Sequence, residues 1–250
     1  MLVHQLVFEQ RTFWRSREAA VFIFIFPLLL YVLLGSVYGD EVEIDGVAVP
    51  SGDVLLAGLF GYGAANTAFG GLAIILVTRR EIGLLKRVRS TPLPPMTYLA
   101  AVLVSTLVVF ALQAAALLVL GRLVFDASPP ENWLGFGGAV VLGVASFACL
   151  GLAAASLIRS MEGASAVVNV VLLPMAFLSG AFGPTDDYPG VLEAIAAVLP
   201  LTYFLDIVNG VYLDGDSLFA DPAALGILIA WGIGGLAVTL RRFSWMPRER

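Results

Sequence analysis

The stretch RREIGLLKRVRSTPLPP, residues 79–95, lies between two long apolar runs and determines how the rest of the chain is organised. It holds five of the fourteen basic residues, including the only lysine, Lys86. It ends with three prolines in four positions, at 92, 94 and 95. A dense basic segment between two apolar runs is typical of a cytoplasmic loop that joins two membrane helices.

The composition of the whole chain supports this interpretation. Hydrophobic residues make up 59% of the 250 residues and charged residues 13%, which is about half of the average for soluble proteins. A soluble domain with this balance could not cover its own surface with polar groups. The sequence therefore predicts an integral membrane protein. With one cysteine, Cys149, and one histidine, His4, it has neither a disulfide framework nor a His/Cys metal cluster.

Six apolar runs are long enough to cross a bilayer as helices, which takes about 20 residues each. They are residues 19–39, 54–78, 98–124, 133–158, 164–182 and 222–240. Two shorter apolar pieces, residues 191–199 and 201–211, are typical of a re-entrant helical pair.

We therefore expect an all-α integral membrane protein with a single transmembrane domain over residues 1–250. It has six transmembrane helices, an N-terminal amphipathic interfacial helix over residues 1–18, and a re-entrant helical pair before the last span. The pair belongs to an outer region, residues 183–221, and the basic loop at residues 79–95 faces the cytoplasm.

The distribution of basic residues orients the spans. With both termini in the cytoplasm, thirteen of the fourteen Lys and Arg residues fall on the inner side, and Arg122 is the exception. Cytoplasmic loops carry such an excess of basic residues in membrane proteins generally. The sequence thus predicts a multi-pass cell-membrane protein with cytoplasmic termini, and the use of thirteen Arg against one Lys is typical of a bacterium.

A helical wheel over residues 79–89 separates the charged residues from the apolar ones. One arc carries Arg79, Arg80, Lys86 and Arg87, and much of the other carries Ile82, Leu84, Leu85 and Val88. Glu81 and Arg89 fall among the apolar positions. Two interpretations remain open: an amphipathic anchor on anionic lipid, or an element that docks to another protein. In either case the prolines end the helix before the third span.

Three stretches resemble one known family. Residues 79–104, RREIGLLKRVRSTPLPPMTYLAAVLV, look like the cytoplasmic loop of type-2 ABC exporter permeases. Residues 155–184, ASLIRSMEGASAVVNVVLLPMAFLSGAFGP, are similar to the family's join of the fourth and fifth spans, and residues 199–215, LPLTYFLDIVNGVYLDG, to its segment before the last span. Leu84 stands where the family usually has threonine, and Asn209 where arginine often follows the aspartate.

The resemblance implies a permease that assembles with a second permease, identical or different, and with two ATPase subunits that carry ATP and Mg²⁺, so that this chain holds no cofactor. Residues 79–95 would form the coupling helix seated in the ATPase, and residues 1–18 the connecting helix on the lipid surface. The implied coupling residues are Arg80, Glu81, Gly83, Leu84, Leu85, Lys86, Arg87 and Arg89. No nucleic acid is expected as a partner.

The chain lacks the residues for its own ATP chemistry. A phosphate-binding Walker A loop requires a glycine before its lysine and a serine or threonine after it, and Lys86 lies between Leu85 and Arg87. We therefore expect a transport subunit rather than an enzyme. Charged residues are absent from the middle of the six apolar runs, which disfavours an ion-coupled carrier.

The polar residues inside the spans are mild ones, such as Asn66, Asn169 and Gln113. Interhelical hydrogen bonds explain them most simply. A sparsely polar pathway for an amphiphilic cargo is the alternative. In relatives the pathway runs between two permeases along the second and fifth spans, and this resemblance makes Asn66, Asn169, Leu173 and Phe177 the candidates.

The leading hypothesis is the permease of an ATP-driven exporter for a drug-like or lipid-like compound. Exporters of cell-envelope glycolipids or polysaccharides share the same skeleton and remain an alternative, as does a membrane scaffold that transports nothing. The small outer loops favour a hydrophobic cargo over a long polymer.

The orientation gives a direct prediction. A cysteine placed at Gly215 should react with a membrane-impermeant thiol reagent added to sealed, right-side-out cells, whereas a cysteine at Ser90 should not. The basic residues hold position 90 in the cytoplasm, where the reagent cannot reach it. Labelling of the cysteine at position 90 in intact cells would contradict this orientation.

Overall fold

The computed structural model describes residues 1–44, 47–185 and 188–246. Six helical segments in these ranges are long and apolar enough to cross a membrane, which confirms the predicted fold class. Their bounds are Ala20–Tyr38, Ser51–Glu81, Pro95–Val124, Trp133–Leu157, Met161–Leu178 and Pro222–Arg242. The largest difference from the expected bounds is in the fifth span, which begins three residues and ends four residues before the apolar run does. The second span extends three residues past its apolar run at each end and is 31 residues long.

The chain begins with two helices and a small hairpin. Helix α1 (Leu2–Arg15) is separated by Ser16 from α2 (Arg17–Tyr38), which contains the first span. Strands β1 (Glu41–Ile44) and β2 (Val47–Pro50) then pair antiparallel. Each strand has only four residues, which is too short for a clear alternation of polar and apolar residues, so the sequence did not predict them. The acidic pair at Asp186 and Asp187, like the hairpin's Asp45 and Gly46, lies outside the described residues.

The second span is the innermost element, since 78% of its most apolar window is buried, against 17% for the first span. It consists of α3 (Ser51–Ala64), a seven-residue π-helical segment (Ala65–Gly71, the π segment) and α4 (Leu72–Glu81). A short helix α5 (Leu84–Arg89) follows before α6 (Pro95–Val124).

Several glycines of the second span make contacts within the chain. Gly58 lies against the backbone of Ala181, and Gly61 lies against the side chain of Leu205. Small residues let helices approach closely in a membrane, where association depends on packing. At these positions the glycines therefore allow close packing between segments of this chain.

The remaining helices surround this span. They are α7 (Trp133–Leu157), α8 (Met161–Leu178), α9 (Gly190–Ala196), α10 (Pro200–Tyr212) and α11 (Pro222–Arg242). Helices α9 and α10 meet at an angle of 82°, as expected for a re-entrant pair. The hydroxyl of Thr202 donates to the carbonyl of Ala196 at 2.8 Å, which ties the start of α10 to the end of α9.

Side-chain caps define where several helices begin. Asn132 accepts from the N–H of Gly135 at 2.9 Å at the start of α7, and Ser160 accepts from Gly163 at 3.1 Å at the start of α8. Asp221 accepts from two N–H groups at the start of α11. These caps satisfy donors that the first turn of a helix leaves free, and so fix where these three spans begin.

The π segment contacts α7 most closely at Gly151. A Cβ atom at position 151 would lie 2.6 Å from the carbonyl oxygen of Ala68 and 2.8 Å from that of Phe69. Real Cβ atoms do not approach backbone oxygens this closely, so the contact requires glycine. The π segment and the fourth span thus touch backbone to backbone.

This contact predicts opposite results for two glycines of α7. Gly151→Ala should destabilise the protein by about 1–3 kcal/mol, because the added methyl group overpacks a rigid backbone contact. Gly137→Ala is the matched control, since a Cβ there meets nothing within 4 Å and alanine favours the helix. Thermal unfolding in detergent measures both. Equal midpoints for the two variants would contradict the contact.

Candidate functional site

The C-terminal end of the second span forms a sharp turn, which we call the elbow (residues 81–90). Helix α4 ends at Glu81, and Gly83 adopts a left-handed conformation with φ of 74° before α5 begins. Glycine adopts this conformation without steric cost, whereas most other residues do not. The single amphipathic helix expected over residues 79–89 is therefore wrong, because the chain breaks into two helices at Gly83.

One side of the elbow packs against the hydrophobic core, and the other side is exposed. Leu85 is fully buried, and Val88 packs against the core beside it. The outer side carries exposed side chains of both kinds: Ile82, Lys86, Arg87, Arg89 and Ser90. An open groove of about 490 Å³ runs along this side, and its lining includes Glu81, Gly83 and Lys86.

Ile82 is the residue that the sequence reasoning missed. Its side chain is 59% exposed at the turn itself, beyond the end of the span. The helical wheel placed Ile82 on the apolar arc with Leu85, which assumed one continuous helix. An isolated apolar residue between Glu81 and Gly83 was the available signal, because glycine after such a residue often ends a helix.

Two basic residues assigned to the exposed arc are buried instead. Arg79 is 7% exposed and Arg80 is 1% exposed, so neither lies on the outer side of the elbow with Lys86 and Arg87. The resemblance implied a coupling role for Arg80; its side chain is buried within the chain, and that role stays a prediction. The wheel failed because it describes local periodicity and contains no information on which helices pack nearby.

Each buried arginine is hydrogen-bonded through both of its terminal nitrogens. Arg79 donates to Glu9 at 2.7 Å and to the hydroxyl of Tyr98 at 2.8 Å. Arg80 donates to the carbonyls of Ala155 and Ile158 at 2.8 and 2.7 Å. Buried charges are tolerated when they are paired and hydrogen-bonded in this way.

Glu81 lies between the buried arginines and the groove. Its carboxylate accepts from Nε of Arg80 at 3.0 Å, and its side chain is 22% exposed. Glu81 also lines the groove with Lys86 and Arg87. The elbow therefore presents charges of both signs together with the exposed apolar side chain of Ile82.

The candidate pathway residues are divided between two elements. Asn169, Leu173 and Phe177 are exposed on α8 at intervals of four residues, so they share one face of the fifth span. Asn66 is partly buried in the π segment. The π segment packs on the neighbouring face of α8, where a Cβ at Gly70 would meet Val168 at 3.0 Å.

Midway through the membrane, Gln113 of α6 faces the π segment. Its side-chain oxygen accepts from the hydroxyl of Thr67 at 3.0 Å, which is the interhelical hydrogen bond expected for a polar residue in a span. Its Nε2 donor is buried without a hydrogen-bond partner among the described residues. A Cβ at Gly63 would lie 3.0 Å from that nitrogen.

These features define a multi-pass membrane protein with a sharp elbow after its second span. A family model described as ABC-2 type transporter matches residues 5–213, and the chain belongs to this family. The match spans the first helix, the elbow and the re-entrant pair. Permeases of this family work with an ABC ATPase subunit.

Three bacterial proteins illustrate the relationship. The chain is 25% identical over 205 residues to YvfS of Bacillus subtilis (strain 168), described as a transport permease, covering 82% of each chain. It is 25% identical over 173 residues to the inner membrane transport permease YhhJ of Escherichia coli (strain K12), covering 67% of this chain and 45% of YhhJ. It is 26% identical over 146 residues to YbhR of the same strain, described as a multidrug ABC transporter permease, covering 58% of this chain and 40% of YbhR.

Proposed function

We propose that this chain is the permease subunit of an ATP-driven exporter, that its elbow docks into the ATPase subunit, and that its cargo is a hydrophobic or amphiphilic compound. The observation that supports docking most directly is the exposed Ile82 at the tip of the elbow. An apolar side chain surrounded by charged groups matches the apolar centre and polar rim of a protein interface.

The charges of the groove favour a protein partner over a lipid surface. A purely electrostatic anchor on anionic lipid presents basic residues alone. Here the Glu81 carboxylate lines the same groove as Lys86 and Arg87. A carboxylate in that position repels lipid phosphates, whereas a protein cleft can meet it with a basic or amide-bearing side chain.

The fifth span supports the proposal for the cargo. Its exposed face combines one polar side chain, Asn169, with the apolar side chains of Leu173 and Phe177. Phe177 is 58% exposed and lies beside Phe182, with ring centroids 4.8 Å apart. A surface of this composition suits an amphiphilic molecule better than a sugar polymer. The description of the relative YbhR as a multidrug permease agrees with this cargo class.

The proposed assembly has two permeases and two ATPase subunits. The faces of α8 from the two permeases border the pathway, and the elbows lie on the cytoplasmic side with both termini. The ATPase subunits supply ATP and Mg²⁺, because the sole lysine at position 86 is on the exposed side of the elbow and outside any phosphate-binding loop. This chain alone then hydrolyses no ATP.

The docking proposal predicts the effect of truncating the tip. Ile82→Ala should weaken binding of the ATPase subunit by about 1–2 kcal/mol or more, as expected for a central apolar anchor of an interface. The measurement is co-purification of the ATPase, followed by titration of ATPase binding to the permease in nanodiscs. Ile195→Ala is the matched control, because Ile195 is 45% exposed on α9 at the opposite side of the membrane.

Glu81→Ala distinguishes the two possible partners of the elbow. It makes the elbow more basic, so it strengthens binding to vesicles of anionic lipid, whereas it weakens binding to an ATPase cleft that meets the carboxylate. Unchanged ATPase binding in both Ile82→Ala and Glu81→Ala, with membrane binding altered, would contradict docking.

A second prediction concerns the cargo. Asn169→Leu and Phe177→Ala should each change which compounds of a set of amphiphilic dyes and detergents stimulate ATP hydrolysis by the assembled transporter. The reason is that both side chains are exposed on the proposed pathway face. Phe219→Ala provides a control of the same size change, since Phe219 is 70% exposed outside the spans. If Asn169→Leu and Phe177→Ala keep the stimulation profile of the unmodified transporter, as the Phe219→Ala control should, the proposed pathway role of α8 is contradicted.

A further inference from the structure

Two consecutive arginines at the base of the elbow bond to different parts of the protein. Arg79 reaches the N-terminal helix α1 through Glu9 and the start of α6 through Tyr98. Arg80 reaches the end of α7 through the carbonyls of Ala155 and Ile158. Adjacent residues of a helix point about 100° apart, so neighbouring positions can serve two separate partners.

The contact between Arg79 and Glu9 joins residues 70 positions apart. Both side chains are almost fully enclosed, 8% exposed for Arg79 and 4% for Glu9. Removing one member of an enclosed ion pair leaves the other charge without compensation, which is much more costly than breaking an exposed pair. The pair is therefore expected to stay formed when the elbow is displaced.

Helix α1 is tied to the same neighbours by a second contact. Gln10 donates to the side chain and the backbone carbonyl of Ser105 in α6, at 2.9 and 3.0 Å. Glu9 and Gln10 thus hold α1 between the end of the second span and the third span. By contrast, the outer side of α1 is exposed, including Phe8 and Trp14.

We propose that Arg79 is the positioning residue that transmits displacement of the elbow to α1 and α6, while Arg80 transmits it to α7. The proposal rests on docking of the elbow to the ATPase subunit. Arg79 touches neither cargo nor nucleotide in this scheme. It acts through Glu9, so that α1 follows the elbow as one body when the ATPase binds nucleotide.

The experiment follows the two ends of this link separately. The transporter is assembled with its ATPase subunit in nanodiscs, in a Cys149→Ala background that removes the native thiol. An environment-sensitive fluorophore is attached either to Ser90→Cys on the elbow or to Arg11→Cys on the exposed side of α1. The response is the fluorescence change on addition of MgATP with vanadate.

In the otherwise unmodified complex both labels should respond. Arg79→Gln and Glu9→Gln should retain the response at position 90 and reduce the response at position 11 by about fivefold or more, the scale of a typical coupling between two sites. The exchanged pair, Glu9→Arg with Arg79→Glu, should recover the response at position 11. Arg122→Gln is the matched control, because it removes an arginine from an exposed ion pair with Asp126.

Several results would overturn the proposal. One is an unchanged response at position 11 in Arg79→Gln or Glu9→Gln; another is an exchanged pair that assembles without recovery. If the two single variants do not assemble, the double variant Glu9→Gln with Arg79→Gln removes the ion pair without leaving an unpaired charge, and a full response at position 11 in that variant contradicts the proposal. A missing response at position 90 in the unmodified complex instead refutes docking itself, on which the inference rests.

Discussion

Close packing around the second span is the constraint on which the rest of the structure depends. Apolar side chains gain little from helix association in lipid, so contacts between helices rely on close fit. Four glycines of this span face four different neighbours: Gly58 the segment after α8, Gly61 the helix α10, Gly63 the helix α6 and Gly70 the helix α8. A displacement of this span therefore meets several neighbours at once.

The π segment interrupts the regular α-helical geometry of this span near its middle. Its wider turn exposes backbone carbonyls, two of which approach Gly151 of α7. Gln113 lies beside it with a donor that lacks a hydrogen-bond partner among the described residues, in a region where such groups are costly. π-helical turns occur often at functional sites. The second span is thus two regular helices joined by its least regular part, and the elbow follows the second of these helices, α4.

The features that could be predicted from the sequence are those that depend on composition and on the length of the apolar runs. The six spans follow from apolar runs of about 20 residues, and the bend between α9 and α10 follows from two runs that are too short to span. The burial of Arg79 and Arg80 could not be predicted, because it depends on Glu9 and on the end of α7, both distant in the chain. The exposure of Ile82 depends on the left-handed turn at Gly83, which a helical wheel does not represent. The candidate pathway residues came from resemblance; the spacing of Asn169, Leu173 and Phe177 places them on one helix face, but the sequence alone could not show that this face is exposed.

The basic side chains in the segment 79–89 are either buried or exposed, and the chemistry of each side chain suits its environment. Arg79 and Arg80 each use two terminal nitrogens to bond two groups at once, which a planar guanidinium can do and a lysine ammonium does less well. Arg80 also places its charge at the C-terminal carbonyls of α7, where a cation is favoured by the helix dipole. The only lysine, Lys86, is on the exposed side of the elbow, where a flexible point charge is sufficient. The inner arginines therefore fix the position of the elbow through forked bonds that tolerate little substitution, whereas the outer basic residues require only charge and exposure.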